Sequence, residues 1–355
     1  MRESLQRATR KGIIRIGISG WRYEPWRGVF YPDALPQRLE LEYASRMFRS
    51  IEINGSFYSL QSPNYYASWR DQTPANFVFS VKGPRYITHM RRLKDIQAPL
   101  ANFFANGLLE LREKLGPILW QFPPTLRFEP DLFKRFFEQL PRDTFAARDL
   151  ARHHDHRVAG RISLSVDHKR PMRHAVEIRH PSFVDERFIA MLRRYRIALV
   201  VADTAGKWPL LEDLTSDFVY IRLHGDKELY ASGYGDAVLK RWAARIRVWS
   251  DGRQVRGARC ASPRSDRPRT RRDVFCYFDN DVKVHAPFDA ANLAGKLGMP
   301  SELGERGTES WPPNSRVASS RRRSTRSKNG HGRQRDNAVG SAESAALRAN
   351  RRAWA

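Results

Sequence analysis

Cysteine is nearly absent: Cys260 and Cys276 are the whole complement of a 355-residue chain. That excludes a disulfide-stapled fold and points to a reducing, cytoplasmic setting. Long apolar runs are missing too, and no stretch approaches the roughly 18 apolar residues of a membrane span. The apolar segment after the basic N-terminus is broken by Arg15, Gly17 and Gly20, so it lacks the h-region of a signal peptide. Glycine-rich phosphate turns are absent as well. The first apolar run leads into GISGWRYEPW, with neither GxGxxG nor GxxxxGKS/T spacing, which removes the nucleotide folds built on those turns. No GxSxG elbow occurs, and Ser19 is better explained by a tight turn at a strand end than by covalent catalysis. No HxH or HExxH pair occurs either, and the cluster His153, His154, Asp155 and His156 sits in a charged connection that reads as solvated surface.

What the chain does contain is a series of eight short apolar runs: Ile13 to Ser19, Ser50 to Asn54, Phe77 to Lys82, Pro117 to Phe122, His174 to Arg179, Ile197 to Asp203, Phe218 to His224 and Val274 to Asn280. Several end on a charged or amide residue. Between them lie segments of helical spacing, namely Leu39 to Phe48, Ala98 to Leu115, Asp131 to Leu140, Asp185 to Tyr195, Ala237 to Trp249 and Ala286 to Leu297. Alternation of strand and helix implies right-handed crossovers and a parallel sheet; eight repeats imply closure. The expected fold is a single α/β domain over 12–299, a TIM-type (β/α)8 barrel, with an open doubly wound sheet as the less favoured alternative.

Charge is distributed unevenly. The net charge is +25, yet Arg253 to Arg272 holds eight arginines against one aspartate, and 301–355 holds twelve Lys or Arg against five acids. The barrel body is therefore only moderately basic. The insertion 251–272 reads as a mobile arginine-rich loop, and the tail 300–355 as disordered. These segments admit nucleic acid as a partner through counterion release, against the blander reading of a silent solvated extension. The connection 142–173 is long, with a helix expected near Thr144 to His154. Nothing in the chain points to a membrane partner or to a particular oligomeric state.

Parallel barrel strands are apolar on both faces except where the lumen opens, so polar residues two apart near strand ends mark the mouth. Glu52 and Asn54, Ser80 and Lys82, Glu177 and Arg179, and Tyr220, Arg222 and His224 fit that description. Outward-facing charges would be buried unpaired beneath helices at several kcal/mol each. They are expected to face inward. Glu177, Lys82, His224 and Asp281 are the candidates for catalysis, with Glu177 as general acid or base, tuned toward neutral pH by burial and neighbouring cations. Trp21, Glu52, Asn54, Tyr58, His89, Gln121, Arg179, Asp203, Arg222 and Asn280 are the candidates for substrate binding. Lys82 reads equally as an anion stabiliser or as a salt-bridge partner of Glu52 or Glu177. The forked guanidinium groups of Arg179 and Arg222 favour a small anionic or polar ligand. No cofactor motif is present; a divalent ion has enough oxygen and nitrogen ligands available but is not favoured.

In order along the chain stand GISGW (Gly17 to Trp21), EINGSFY (Glu52 to Tyr58), VKGPRYITH (Val81 to His89), LWQFPP (Leu119 to Pro124), EIRHPSF (Glu177 to Phe183), VYIRLHG (Val219 to Gly225) and YFDND (Tyr277 to Asp281). Together they closely resemble the domain-of-unknown-function 72, or YecE-like, family over roughly Ile13 to Leu297. The resemblance implies a TIM-type barrel with these motifs gathered at one end, and no established activity. Two departures are modest: Phe183 stands where the family often has Trp, and Phe278, Asp279, Asn280, Asp281 where many members have two Asn. From the residues themselves follow the expectations of an acid–base enzyme of hydrolase, lyase or isomerase type, of a nucleic-acid-associated protein, or of a non-catalytic ligand-binding barrel.

Overall fold

Each of the eight apolar runs forms a strand in the computed structural model, which describes residues 12–264, 269 and 271–299. They are β1 (Ile14–Ser19), β2 (Ser50–Ile53), β3 (Val78–Lys82), β4 (Leu115–Gln121), β5 (His174–Glu177), β6 (Ala198–Asp203), β7 (Phe218–Leu223) and β8 (Asp273–Phe278). They pair in parallel in sequential order, and β1 closes on β8 from Ile14 opposite Val274 to Ile18 opposite Phe278. The fold is a TIM-type (β/α)8 barrel. The tail beyond Met299 lies outside the described residues, as does part of the arginine-rich insertion. Among the described residues no helix is long and apolar enough to cross a membrane.

Helices α1 (Glu40–Met47), α2 (Gly55–Tyr58), α3 (Pro63–Gln72), α4 (Gln97–Ala105), α5 (Pro130–Gln139), α6 (Thr144–Ala151), α7 (Glu186–Tyr195), α8 (Asp236–Ser250) and α9 (His285–Lys296) follow the strands. Their apolar stripes supply the outer core: Leu132, Phe133, Phe136 and Phe137 of α5 and Phe188, Ile189 and Leu192 of α7 are all buried. Asp143 starts α6 as an N-cap, accepting from the backbone N–H of Phe145 and Ala146 at 2.9 Å.

Three expectations are corrected. The helix expected from Ala98 to Leu115 stops at Ala105 and resumes as a 3-10 turn, Leu108–Lys114. Gly107 makes the break with φ +97, and a Cβ there would lie 2.3 Å from Pro63 Cα, so the apolar periodicity runs on through a point where the backbone cannot. Strand–helix alternation also fails between β6 and β7, where no helix intervenes.

The third correction concerns the insertion, which is not a free loop over 251–264. Its backbone is pinned to that helix-less connection by two buried acids. Glu212 accepts from Arg259 N at 2.9 Å, and Asp213 from Ala261 N at 2.7 Å and Ser262 N at 3.1 Å. Gln254 donates to Glu212 O at 2.8 Å. Asp213→Ala leaves the buried N–H of Ser262 and the half-buried N–H of Ala261 without their acceptor, an expected cost of about 1–3 kcal/mol. Hydrogen exchange should then show the amides of Ala261 and Ser262 losing protection while those of β6 and β7 keep theirs; unchanged protection would mean the loop is held by other contacts.

Inside the barrel, side chains stack in layers. Phe218 and Phe275 lie below, and Tyr220 and Tyr277 form the next level with ring centroids 5.3 Å apart. Tyr277 OH is 2.6 Å from Ser50 Oγ, and Tyr220 OH is 2.7 Å from Ser80 Oγ. This tyrosine layer is the floor of the polar mouth.

Candidate active site

Two residues further along the inward face of each strand, the lumen turns ionic. Arg222, fully buried on β7, is the hub. Its Nη2 donates to Glu52 Oε1 and to Asp279 Oδ2, both at 2.8 Å, and its Nη1 donates to Glu177 Oε2 at 2.7 Å and, at a long 3.5 Å, to Gln121 Oε1. One guanidinium thus binds carboxylates from β2, from β5 and from just beyond β8. Glu52 is further held by Ser19 Oγ at 2.9 Å and by the hydroxyl of Tyr220 at 2.5 Å. Glu177 receives a second guanidinium, Arg179, whose Nε and Nη2 lie 2.9 and 2.8 Å from Oε1. Arg179 also donates to Tyr230 OH at 3.1 Å and stacks over Trp208 at 3.9 Å.

These neighbours set the protonation states. Burial alone would raise the Glu177 carboxyl, but Arg179, Arg222 and His224 outweigh it and hold the group well below the usual carboxylate range. That is the reverse of tuning toward neutrality, and Glu177 carries no proton near pH 7. Asp279 behaves likewise: burial opposes ionisation, and Arg222 and His224 overcome it. Asp281 goes the other way, raised to about 7 by burial and by the neighbouring Asp279 charge. His224 is buried with Nδ1 3.0 Å from Asp279 Oδ2 and Nε2 3.4 Å from Arg222 Nη1; burial and Arg222 lower it, so the ring is neutral.

Lys82 differs from all of these. It ends β3 on the lumen face with 7% of its surface exposed, yet among the described residues no carboxylate oxygen comes within 4.0 Å of Nζ. It is not the salt-bridge partner of Glu52 or Glu177; Arg222 has taken both. The ammonium instead lies 4.3 Å from the centroid of the Phe57 ring. Burial, then the Arg222 charge, push its pKa down to about 8. Beside it, His89 on the π-helical turn Tyr86–Met90 packs edge-on to Phe57 at 5.1 Å, with Nδ1 2.8 Å from Thr88 Oγ1 and a buried Nε2 that has no partner. Burial, Lys82, Arg179 and Arg85 lower His89 to about 3. This side of the mouth is cationic.

The remaining candidates divide. Tyr58 stands on the rim, its hydroxyl raised to about 12 by burial and by Asp279 and Tyr230. Asn54 continues the inward face of β2 as the residue before α2, with a buried Oδ1 lacking a partner. Trp21 is not in the mouth. It is buried against Trp69 of α3 at 5.2 Å and Phe79 at 6.4 Å, on the outer side of β3. Asp203 also faces outward, because Ala198, Val200 and Ala202 take the inward positions of β6; it bonds to Tyr234 and Trp242 beneath α8. Asn280 donates to Asp289 of α9 at 2.8 Å and to Ser232 O at 3.0 Å, again behind the wall. Asp279 is the member that sequence reasoning passed over. Alternation from Phe275 through Tyr277 points to it directly.

Among the described residues no group of three His, Cys, Asp or Glu side chains is arranged to hold a metal ion.

The sequence pattern of the family described as "Protein of unknown function DUF72" matches residues 15–314. The UPF0759 protein YecE of Escherichia coli K12 is 29% identical over 131 residues, which is 36% of this chain and 45% of that protein. The UPF0759 protein YunF of Bacillus subtilis 168 is 29% identical over 117 residues, 32% and 40% of the two chains. Each match spans less than half the length of the relative. A DUF72 family protein from Thermotoga maritima has a TM-score of 0.60 at 24% identity, covering 81% of this chain and 100% of that one. Another from Enterococcus faecalis scores 0.58 at 15% identity, covering 82% and 97%. At those identities the likeness is one of fold. With its family pattern extending from β1 past α9, the chain belongs to the DUF72 family, whose function is unknown.

Proposed function

We propose that the barrel is an enzyme acting by acid–base chemistry on a small, anionic or polar substrate bound at the C-terminal mouth. One observation carries the reading: a buried lysine without a carboxylate partner among the described residues stands beside a network in which Glu52, Glu177 and Asp279 are all bonded to Arg222. A structural lysine would be expected to use one of those carboxylates; an amine held apart from them is available to a ligand. In this reading Glu52, Glu177, Asp279 and Arg222 form a fixed frame, in which Glu177 and Asp279 are held ionised near neutral pH. Lys82 and Asp281 are the groups that titrate, at about 8 and about 7. Lys82 would hold or donate to a developing anion, Asp281 would exchange a proton, and neutral His224 and His89 would orient the ligand. Arg179, Gln121, Asn54 and Tyr58 complete the lining.

The pH dependence follows with a definite sign. An anion is favoured when Lys82 is charged and Asp281 is neutral, so binding is strongest below about pH 7 and falls away above about pH 8. A thermal-shift screen of small carboxylates and phosphates against the full chain at pH 6 and pH 9 checks this. A stabilising anion at pH 6 should lose its effect at pH 9 and should not stabilise Lys82→Met. If no anion stabilises the protein, or if one does so equally at both pH values and in Lys82→Met, the reading fails.

A further inference from the structure

We infer that Lys82 is a covalent nucleophile, forming an imine through Nζ with a small substrate that carries both an aldehyde or ketone and an anionic group. The inference rests on the mouth being the reaction site, and it narrows the substrate class to carbonyl compounds. Three features place Nζ for this role. The amine belongs to a side chain at the C-terminal end of a barrel strand, on the lumen face, with 7% of its residue surface exposed. Ser56 Oγ donates to Lys82 O at 2.7 Å, fixing the backbone at the root of the side chain. The Phe57 ring lies 4.3 Å from Nζ, on the same four-residue helix as Ser56, so it supports the amine without accepting a proton from it.

The charged surroundings come from several elements. Arg222 from β7 repels the ammonium, while Glu52 from β2, Glu177 from β5 and Asp279 beyond β8 attract it only at a distance because each is bonded to Arg222. His89 faces it as a neutral ring. The outcome is an amine of which about one tenth is unprotonated at pH 7, against a few parts in ten thousand for an ordinary lysine. The charges of Arg179 and Arg85 reach His89 along with that of Lys82, and this cationic surrounding suits the anionic group of the substrate.

The step balances without an oxidant or reductant. The nitrogen lone pair forms the C–N bond as the carbonyl π pair moves to oxygen; that oxygen takes up protons, the nitrogen gives up its own, and water leaves as C=N forms.

Glyoxylate, an aldehyde bearing a carboxylate, is the probe. The full-length protein is treated with limiting glyoxylate and cyanoborohydride at pH 7, and each lysine is quantified by peptide mass mapping for the carboxymethyl group left by the reduced imine. Lys82 should be labelled roughly tenfold faster than any other lysine, with a rate that rises through about pH 8, whereas surface lysines keep rising toward their ordinary range. Lys82→Arg, checked for folding by its melting curve, should show no label at the site and unchanged labelling elsewhere. Labelling of Lys82 at or below the rate of surface lysines overturns the inference. If that result comes with a pH-dependent anion effect in the thermal-shift screen, the imine falls and the acid–base site stands; selective labelling with no such anion effect leaves the imine standing and removes the acid–base reading.

Discussion

Lys82→Met is expected to make the protein more stable at neutral pH while abolishing its response to small anions. The ordinary lysine value is 10.5, and in the folded barrel it is pushed down to about 8. Between those values the unfolded chain binds more protons at this position than the folded one does, so the stability of the wild-type protein rises with pH across that window. Below about pH 8 the wild type carries the whole cost of a charged amine held in the lumen, about 3 kcal/mol for a gap of that size. Methionine has a similar shape and no charge to desolvate, so packing against Phe57 is kept. The difference between the two proteins should therefore be largest near pH 7 and vanish toward pH 11. Melting temperatures from pH 6 to pH 11 measure it, with an expected gain of a few degrees for the variant at the neutral end. A salt-bridged structural lysine would give the opposite result, since its loss strands a buried carboxylate. A variant less stable than wild type at every pH would show that Lys82 is part of the frame, and both the acid–base and the imine roles would lose their basis.

How far the sequence reveals this site depends on what local pattern can encode. Strands of a closed parallel barrel are covered on both sides, so they appear as short apolar runs, and all eight are legible within about two residues. Spacing by two puts Glu52, Lys82, Glu177 and Arg222 on inward faces, which is where they lie. Parity resolves less where a run ends in several polar residues: Asp279 faces inward while Asn280 turns toward α9, and Asp203 lies behind the wall although it ends β6. Trp21 looks like a rim aromatic in sequence but fills the space between β3 and α3. The docked insertion was hidden for another reason. Its acceptors, Glu212 and Asp213, are nearly fifty residues away in the chain, and no local composition reports them.

Pairing is the other thing that sequence does not contain. Charges of both signs around one lumen admit several matchings, and the geometry selects one. A planar guanidinium with two terminal nitrogens can serve three carboxylates at once, whereas an ammonium on a flexible stem has no comparable fork. Arg222 therefore gathers Glu52, Glu177 and Asp279, and Lys82 is left over. The reactive position follows from that competition among cations more than from any motif around Lys82.

Arg222→Met should have the largest structural effect in the molecule, and its cost relative to the wild type should depend on pH. Removing the hub leaves Glu52 with only Ser19 and Tyr220, Glu177 with Arg179, and Asp279 beside a neutral His224. Loss of one member from a buried ionic network typically costs 3–5 kcal/mol, a large share of the 5–15 kcal/mol that holds a domain together. In the wild type, Glu177 and Asp279 are held below their unfolded values, so the stability they contribute is present above about pH 4 and is lost as pH falls through the folded values, about 2 for Asp279. Without Arg222 the same carboxyls retain protons more strongly when buried than when unfolded, so the variant gains stability as pH is lowered from 7.5 to 5. Lys82 also loses the cation that most depresses it and keeps three nearby acids, so its pKa climbs back toward the ordinary lysine value. Urea unfolding of both proteins at pH 5 and pH 7.5, combined with glyoxylate labelling at pH 7, reads out both consequences: a deficit of the variant relative to wild type that is larger at the higher pH, and a Lys82 that no longer outpaces the surface lysines. Stability unchanged from wild type at both pH values would mean that water screens the network and that Arg222 does not set the charge state of the mouth.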